Sequence, residues 1–485
     1  MKFIVIGITD NPQPFFPPEV MEIIKNGRVF SGGKRHHEIV ASSLPEGAEW
    51  IDITVPLEEV FEKYKRPTPP DGHPSRKGGE ASAEMDREKE SLPLRGDLEG
   101  SSIIVFASGD PLFFGFANTL RREFPEAEIQ VFPTFNSLQM LAHRLVMPYH
   151  DMRIVSLTGR PWHEFDRALI ERAPKIGILT DREHTPAAIA QRMLEYGYTA
   201  YTMSVGERLG NPQEERVTTL TLEEATKQEF AMPNCVILEG NRSLPNRTTG
   251  VFRVATKCGN GPTKGSEFPI RDGGQGGGRV RSFGIQDTSF ALLDGREKMI
   301  TKMPIRLLAL QALNLPHRHV FWDIGACTGS VSIEACLLFP HLHIEAFEIR
   351  PECEAIITEN ARKFGALGIE VHIGDFLDSP RRESAPDAVF IGGHGGKLKE
   401  IMAKVVNVLA PGGVIVFNSV TSPIVASMTD RPSSRQLWDE ACAELGLQQE
   451  PPLRIQLNDY NPIEILKATS SLSSPRNHED SYHTS

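Results

Sequence analysis

The sequence predicts an α/β protein built as two consecutive halves, and three observations carry that prediction. Short apolar, β-branched runs alternate with segments of helical period along most of the chain. A Gly-rich stretch that includes RDGGQGGGRVR separates two such series. In each series one apolar run ends in a turn of small residues, where an α/β sheet binds its ligand.

The first half, residues 1–240, has strand candidates at 3–8, 102–107, 129–132, 153–157, 175–179 and 234–239. Helical patterns lie at 137–147 and 185–196. From about 66 to 100 the chain is rich in Pro, Gly, Ser and mixed charge, the composition of a disordered insertion. Residues 241–283 read as a flexible linker. The second half, 284–468, has strand candidates at 319–324, 344–348, 369–373, 387–391, 413–418, 453–457 and 462–467. Helical patterns fall at 301–313, 330–338, 351–365, 397–409 and 435–445. About seven strands alternating with helices predict a doubly wound sheet with its ligand at the carboxyl ends of the strands. The polar, Ser-rich residues 469–485 read as a disordered tail.

A chain of 485 residues is long enough for two to three domains. Its net charge of −11 argues against a large nucleic-acid surface, although a local basic pocket for a small anion remains compatible with it. Six cysteines without a CxxC pair or Cys/His ligand spacing imply reduced thiols, a cytoplasmic setting and no metal site. The opening apolar run is too short for a signal peptide, and no run approaches a membrane span.

In the second half, HVFWDIGACTGSVSIEA (319–335) runs from an apolar strand through Asp323 into Gly325–Gly329 and then a helix. Glycines there let a ligand lie against bare backbone. Glu348 ends the next strand, where a carboxylate can accept two ribose hydroxyls. Asp375 follows the third strand within reach of an adenine amino group, although such a residue alone is also a natural helix cap. LAPGGVIVFN (409–418) supplies a Pro-Gly-Gly turn into a late strand. MITKMPIR (299–306) precedes the first strand, and IGGHGG (391–396) follows the fourth. The D-x-G-x-x-x-G spacing resembles class I S-adenosylmethionine (SAM) methyltransferases, not the G-x-G-x-x-G of dinucleotide enzymes.

In the first half, ASGDPLFFG (107–115) follows the strand SIIVFA, which puts Ser108, Gly109 and Asp110 at a strand's carboxyl end with a helix expected from Leu112. SGGKRHHE (31–38), PTFNSLQ (133–139) and VGERLGNPQE (205–214) are the other distinctive segments. Together they resemble the tetrapyrrole methylase family of cobalamin biosynthesis.

A tetrapyrrole-methylase half followed by a SAM half resembles the fused, decarboxylating precorrin C-methyltransferases of cobalamin (corrin) biosynthesis. The resemblance implies an N-terminal tetrapyrrole-methylase α/β domain pair, then a seven-stranded Rossmann-like class I SAM methyltransferase domain. It implies SAM as cofactor, methylation at carbons 5 and 15 of the macrocycle, and loss of carbon dioxide from the carbon-12 acetate. Implied cofactor positions are Thr301, Asp323, Gly325, Ala326, Cys327, Thr328, Gly329, Glu348 and Asp375, with Ser108, Gly109, Asp110 and Ser137 in the first half. Gly392, Gly393, Gly395 and Gly396 match a loop near substrate, Lys34 and Arg35 offer cations to its carboxylates, and Lys302 and Lys397 are further candidates. His394 is the candidate for handling a proton. The expected partners are the precorrin substrate and further copies of the chain, with neither nucleic acid nor membrane.

The chain departs from the family pattern at four places. Cys327 replaces a glycine, His394 replaces a small residue, Thr158 replaces a histidine, and GITDN lacks a second glycine. A left-handed backbone at Cys327 would cost about 1 kcal/mol or more. Two alternatives stay open at this level, an RNA methyltransferase and a non-catalytic SAM-binding scaffold.

Overall fold

The structure, a computed structural model, describes residues 1–65, 102–240, 283–380, 384–420, 432–457 and 461–470. The expected insertion, the linker up to residue 282 and the tail from residue 471 lie outside the described residues.

Three sheets follow one another along the chain. The first contains β1 (Lys2–Ile8), β2 (Val29–Gly32), β3 (Glu49–Asp52), β4 (Ile103–Ser108) and β5 (Glu128–Phe132), in the order β3-β2-β4-β1-β5. Every neighbouring pair is parallel, which buries both faces and explains why β1 and β4 are almost unbroken apolar runs. The second sheet contains β6 (Arg153–Ser156), β7 (Lys175–Leu179), β8 (Tyr201–Glu207), β9 (Arg216–Leu220) and β10 (Asn234–Gly240), in the order β6-β7-β10-β8-β9. It is mixed, with β6 and β7 parallel and the other pairs antiparallel.

The third sheet contains β11 (Val320–Ile324), β12 (His343–Glu348), β13 (Ile369–Ile373), β14 (Ala388–Ile391), β15 (Val414–Val420), β16 (Gln448–Gln449), β17 (Leu453–Ile455) and β18 (Ile463–Thr469). Its order is β13-β12-β11-β14-β15-β18-β16, with β17 also on β18. The first five strands are parallel, and β18 runs antiparallel to β15. Among the described residues eight strands stand where seven are predicted. The extra one is the two-residue β16, which shares the β18 edge with β17 and is too short to leave a pattern. Thr469, assigned to the tail by composition, closes β18.

The sequence reading misses β2, β3, β8 and β9. The first two have only four residues each, and β8 and β9 place hydroxyls among their apolar residues. Two of those hydroxyls, Ser204 Oγ and Thr219 Oγ1, pair across the strands at 2.9 Å. The helix expected from Leu112 begins at Phe116, because Asp110 holds a turn first: its Oδ1 accepts from Leu112 N at 2.9 Å.

The halves share one apolar core, in which Leu169 and Ile176 join Phe321 and Ile344. Tyr198 donates its hydroxyl to the Gly365 carbonyl at 2.8 Å, the His163 ring stacks on His343 with centroids 3.8 Å apart, and Arg362 pairs with Glu195. These contacts lie toward the start of β12 and β13, at the opposite end of the sheet from the strand ends that would carry a site.

The segment before β11 is fastened by Arg306, which is 0% exposed. Its guanidinium donates to Glu334 Oε2 at 2.9 Å, Asp287 Oδ1 at 3.2 Å, the Thr301 carbonyl at 2.6 Å and the Ile285 carbonyl at 2.5 Å. Arg306→Met would leave the buried Glu334 with the Ile285 amide but no counter-charge, and breaking such a pair costs about 3–5 kcal/mol. Chemical denaturation of Arg306→Met should show a loss of that size, and adding Glu334→Gln should recover part of it.

Candidate active sites in the two halves

In the second half the site grows from the end of β11. Asp323 is 1% exposed, and its Oδ2 accepts from Ser332 N at 3.1 Å and Ser332 Oγ at 2.5 Å. Its Oδ1 is buried without a hydrogen-bond partner, as is Thr328 Oγ1. Burial pushes the Asp323 carboxyl up to about 6 against the pull of the Ser332 bonds. Gly325 has φ +81, and a Cβ there would stand 2.6 Å from Gly393 N. Only glycine lets the turn and the Gly392–Gly393 backbone meet, and Gly392 N donates to the Ile324 carbonyl at 2.8 Å. Gly325 N and Ala326 N both donate to the Phe347 carbonyl, at 2.8 and 3.1 Å.

Glu348, at the end of β12, is buried, and its oxygens are engaged inside the protein. Cys327 N donates to Oε2 at 2.8 Å, while Arg350 donates from its backbone N (3.0 Å) and Nε (2.8 Å) to Oε1 and from Nη2 to Oε2 (3.1 Å). Burial opposes ionisation, but Arg350 and the two amides outweigh it and hold the carboxyl below its ordinary range. Ribose hydroxyls would therefore share this carboxylate with Arg350 or displace it. Arg350 Nη1 lies 3.8 Å from Met299 Sδ, which sets the Met299–Thr301 segment beside Glu348.

The remaining predicted residues spread outward from this turn. Asp375 caps the short turn at Phe376–Asp378 through Leu377 N (3.0 Å) and pairs with Lys397 Nζ at 2.7 Å. That bond holds the Asp375 carboxyl below its usual range. A shallow pocket of about 440 Å³ beside Asp375 is lined by Phe347, His372, Gly374 and Phe376. Lys302 Nζ donates to the Glu297 carbonyl at 2.9 Å. Gly395 and Gly396 have φ +54 and +89. His394 Nδ1 accepts from Gly396 N at 3.1 Å, and its other ring nitrogen meets Ser434 Oγ at 3.3 Å. Burial holds the ring neutral over a wider range, and its two nitrogens are engaged within the loop and at the start of the distant helix Ser434–Leu445.

In the first half a cleft of about 480 Å³ opens between the first two sheets. Ser108, Gly109, Ser137, Arg35 and Thr158 line it. Gly109 has φ +62, and a Cβ would stand 2.9 Å from Asn136 Cα, so the end of β4 and the start of the Ser137–Arg144 helix meet through glycine. Ser137 is also hydrogen-bonded to the buried Cys235 thiol. Thr158 Oγ1 donates to the Thr180 carbonyl at 3.1 Å. Lys34 is exposed on the first turn of its helix. Arg35 bridges Asp10 (2.6 Å) and Ser108 (2.7 Å), and Arg208 reaches Asp10 from the second sheet at 3.2 Å.

Residues 294–434 match a family described as the precorrin methyltransferase domain, and residues 15–226 match the tetrapyrrole (corrin/porphyrin) methylases. The cobalt-precorrin-6B C(15)-methyltransferase (decarboxylating) of Salmonella typhimurium is 33% identical over 36% of this chain and 91% of its own length. The chain belongs to the precorrin methyltransferases. The precorrin-6Y C(5,15)-methyltransferase [decarboxylating] of a Sinorhizobium species is 28% identical over 88% of this chain and 86% of that protein. A solved precorrin-6y C5,15-methyltransferase from Geobacter metallireducens is 34% identical, covering 38% of this chain and 96% of that one, with a TM-score of 0.32.

Within this precorrin methyltransferase, Arg350, Asp10 and Arg208 are contacts that sequence reasoning passes over, whereas His36 stands in the SGGKRHHE segment that it singles out as a source of cations. Arg350 carries a faint signal, a cation two residues beyond a strand-end acid, and Asp10 and Arg208 show only once distant segments meet. Cys327 has φ +51, the left-handed backbone its glycine-like position suggests. Strain there reverses the usual order of alanine and glycine. Cys327→Gly should be about 1 kcal/mol more stable than Cys327→Ala in chemical denaturation, although it is the smaller residue.

Proposed function

We propose that this precorrin methyltransferase uses SAM to methylate carbons 5 and 15 of precorrin-6Y and removes carbon dioxide from its carbon-12 acetate. The first half serves carbon 5, and the second serves carbon 15 and the decarboxylation. The observation that carries the cofactor assignment is the pair of buried, unpartnered oxygens in the second half's turn, Asp323 Oδ1 and Thr328 Oγ1. Such atoms are costly unless a ligand satisfies them, and the ammonium of SAM is a suitable donor.

Asp323, Gly325–Gly329 and Glu348 would hold the cofactor, with Asp375 and Thr301 at its rim. Gly109, Asp110 and Ser137 would hold it in the first half, whereas Ser108, a cofactor position by the resemblance, has its hydroxyl engaged by Arg35 and His36 and would face the macrocycle instead. Gly392, Gly393, Gly395 and Gly396 would wrap the macrocycle, with Arg35 and Lys34 toward its carboxylates in the other cleft. SAM when bound supplies an activated methyl group on sulfur. The meso carbons of a partly reduced tetrapyrrole are electron-rich, so the protein's tasks are in-line positioning and exclusion of water. In the decarboxylation the bond between the acetate carbon and its carboxylate would break, carbon dioxide would leave, the electron pair would pass into the conjugated macrocycle, and a proton from water would complete the methyl group left on carbon 12. His394, with both nitrogens engaged, would shape the glycine loop.

Among the described residues no helix is long and apolar enough to cross a membrane, and the five described cysteines are free and buried. Our reading places the enzyme in the cytoplasm, without a nucleic-acid partner, as a homo-oligomer. Mass spectrometry of precorrin-6Y after incubation with chain and SAM tests the activity. Gain of two methyl groups and loss of one carbon dioxide is expected; SAM binding without mass change would favour the scaffold.

The Asp323 carboxyl sits near 6, above its unfolded value, so its contribution to stability is lost as pH rises from about 4 through 6. The same ionisation creates the charge that would pair with the ammonium shared by SAM and S-adenosylhomocysteine. Affinity of the second site for S-adenosylhomocysteine should fall toward tenfold per pH unit below pH 6, read by calorimetry. Asp323→Asn should bind weakly and without that pH dependence.

A further inference from the structure

The clearest unused chemistry in the first cleft is a hydroxyl whose direction is fixed by its neighbours. His36 Nδ1 lies 3.3 Å from Gly33 N, and an amide N–H can only donate, so Nδ1 carries a lone pair. Burial, reinforced by Arg35, drives the ring down to about 4 and keeps it neutral at physiological pH. The single ring proton is therefore on Nε2, which lies 2.9 Å from Ser108 Oγ and donates toward that oxygen and the neighbouring Phe106 carbonyl, so Nε2 cannot accept the Ser108 proton. Arg35 Nη2 lies 2.7 Å from the same oxygen and can only donate. Both lone pairs of Ser108 are taken, and its own proton must point in the remaining tetrahedral direction. No described residue accepts it, and Ser108 is exposed to the cleft. Arg35 is itself fixed, because Nη1 holds the buried Asp10 at 2.6 Å, and Asp10 is braced from the other sheet by Arg208 at 3.2 Å. Arg208 has φ +46 and donates its N–H to the Pro233 carbonyl at 2.8 Å.

We propose that the Ser108 hydroxyl and the Arg35 guanidinium form a two-donor fork for one side-chain carboxylate of the macrocycle, with His36 as the positioning residue that aims the hydroxyl. An ionised carboxylate only accepts, so it matches a fork that only donates. The cofactor's methionine carboxylate has the same chemistry. The exposed side of the cleft, where Ser108 lies, favours the larger ligand. This inference rests on the proposed substrate.

The test uses the full chain, with precorrin-6Y turnover at carbon 5 and S-adenosylhomocysteine affinity measured side by side. Ser108→Ala and His36→Phe should raise KM for the macrocycle about 10-fold or more, the value of a hydrogen bond to a charged group. Their kcat should stay within about threefold and their S-adenosylhomocysteine affinity within about twofold. His36→Gln keeps an amide N–H near the position of Nε2 and should recover most of the KM, which a space-filling role would not produce. A KM within about twofold of wild type in Ser108→Ala overturns the fork. Loss of S-adenosylhomocysteine affinity in step with KM assigns the carboxylate to the cofactor and overturns the macrocycle assignment. His36→Gln no better than His36→Phe overturns the positioning role. If the wild type itself takes no macrocycle, the underlying reading falls with it, an outcome distinct from the other three.

Discussion

The buried carboxylate of Glu348 is the contact on which the second site depends. It ties the turn after β11 to the end of β12 by accepting the Cys327 amide, while the preceding carbonyl, Phe347, accepts from Gly325 and Ala326. A carboxylate in that position would be costly to bury alone. Arg350 makes it tolerable by donating three bonds from the next turn of chain. The left-handed Cys327 follows from the same constraint, because the backbone must turn its amide onto Glu348. Local strain is thus maintained by a tertiary ion pair, which is how such conformations persist at binding sites.

What was legible in the sequence follows from range. The parallel strands β1, β4, β11 and β12 are buried on both faces, so their apolar runs announce themselves. The helix Ser330–Leu338 starts and stops where its pattern predicts. Edge and antiparallel strands were less visible, since β3 has one buried residue in four and β16 none. The glycines of both turns could be read because a close backbone approach admits few other residues. Partners could not. Lys397, a candidate substrate anchor by charge, is paired with Asp375, a candidate cofactor ligand, and each looks free only until β13 and β14 are neighbours of the same site. His394 reads as a proton carrier by residue type, yet its nitrogens are spent on Gly396 and Ser434, forty positions apart in the second case.

The two halves reach similar backbone solutions by different sheets. At Gly109 and at Gly325 a strand ends in a left-handed glycine, and a second loop lies where a Cβ would be. Their polar inventories differ in sign. The turn of the second half leaves acceptors unsatisfied, Asp323 Oδ1 foremost, and so favours a donor-bearing cation. The first cleft presents donors, because Asp10 absorbs the inner faces of Arg35 and Arg208 while His36 and Arg35 fill both lone pairs of Ser108. A ligand that is cationic at one end and polycarboxylate at the other does not exist as one molecule here. It exists as a pair, SAM and macrocycle. On the function and the fork proposed above, the recognisable polar feature of the second half would concern the cofactor, whereas that of the first would concern the substrate. Each half exposes most plainly the partner that its neighbour leaves to glycine and backbone.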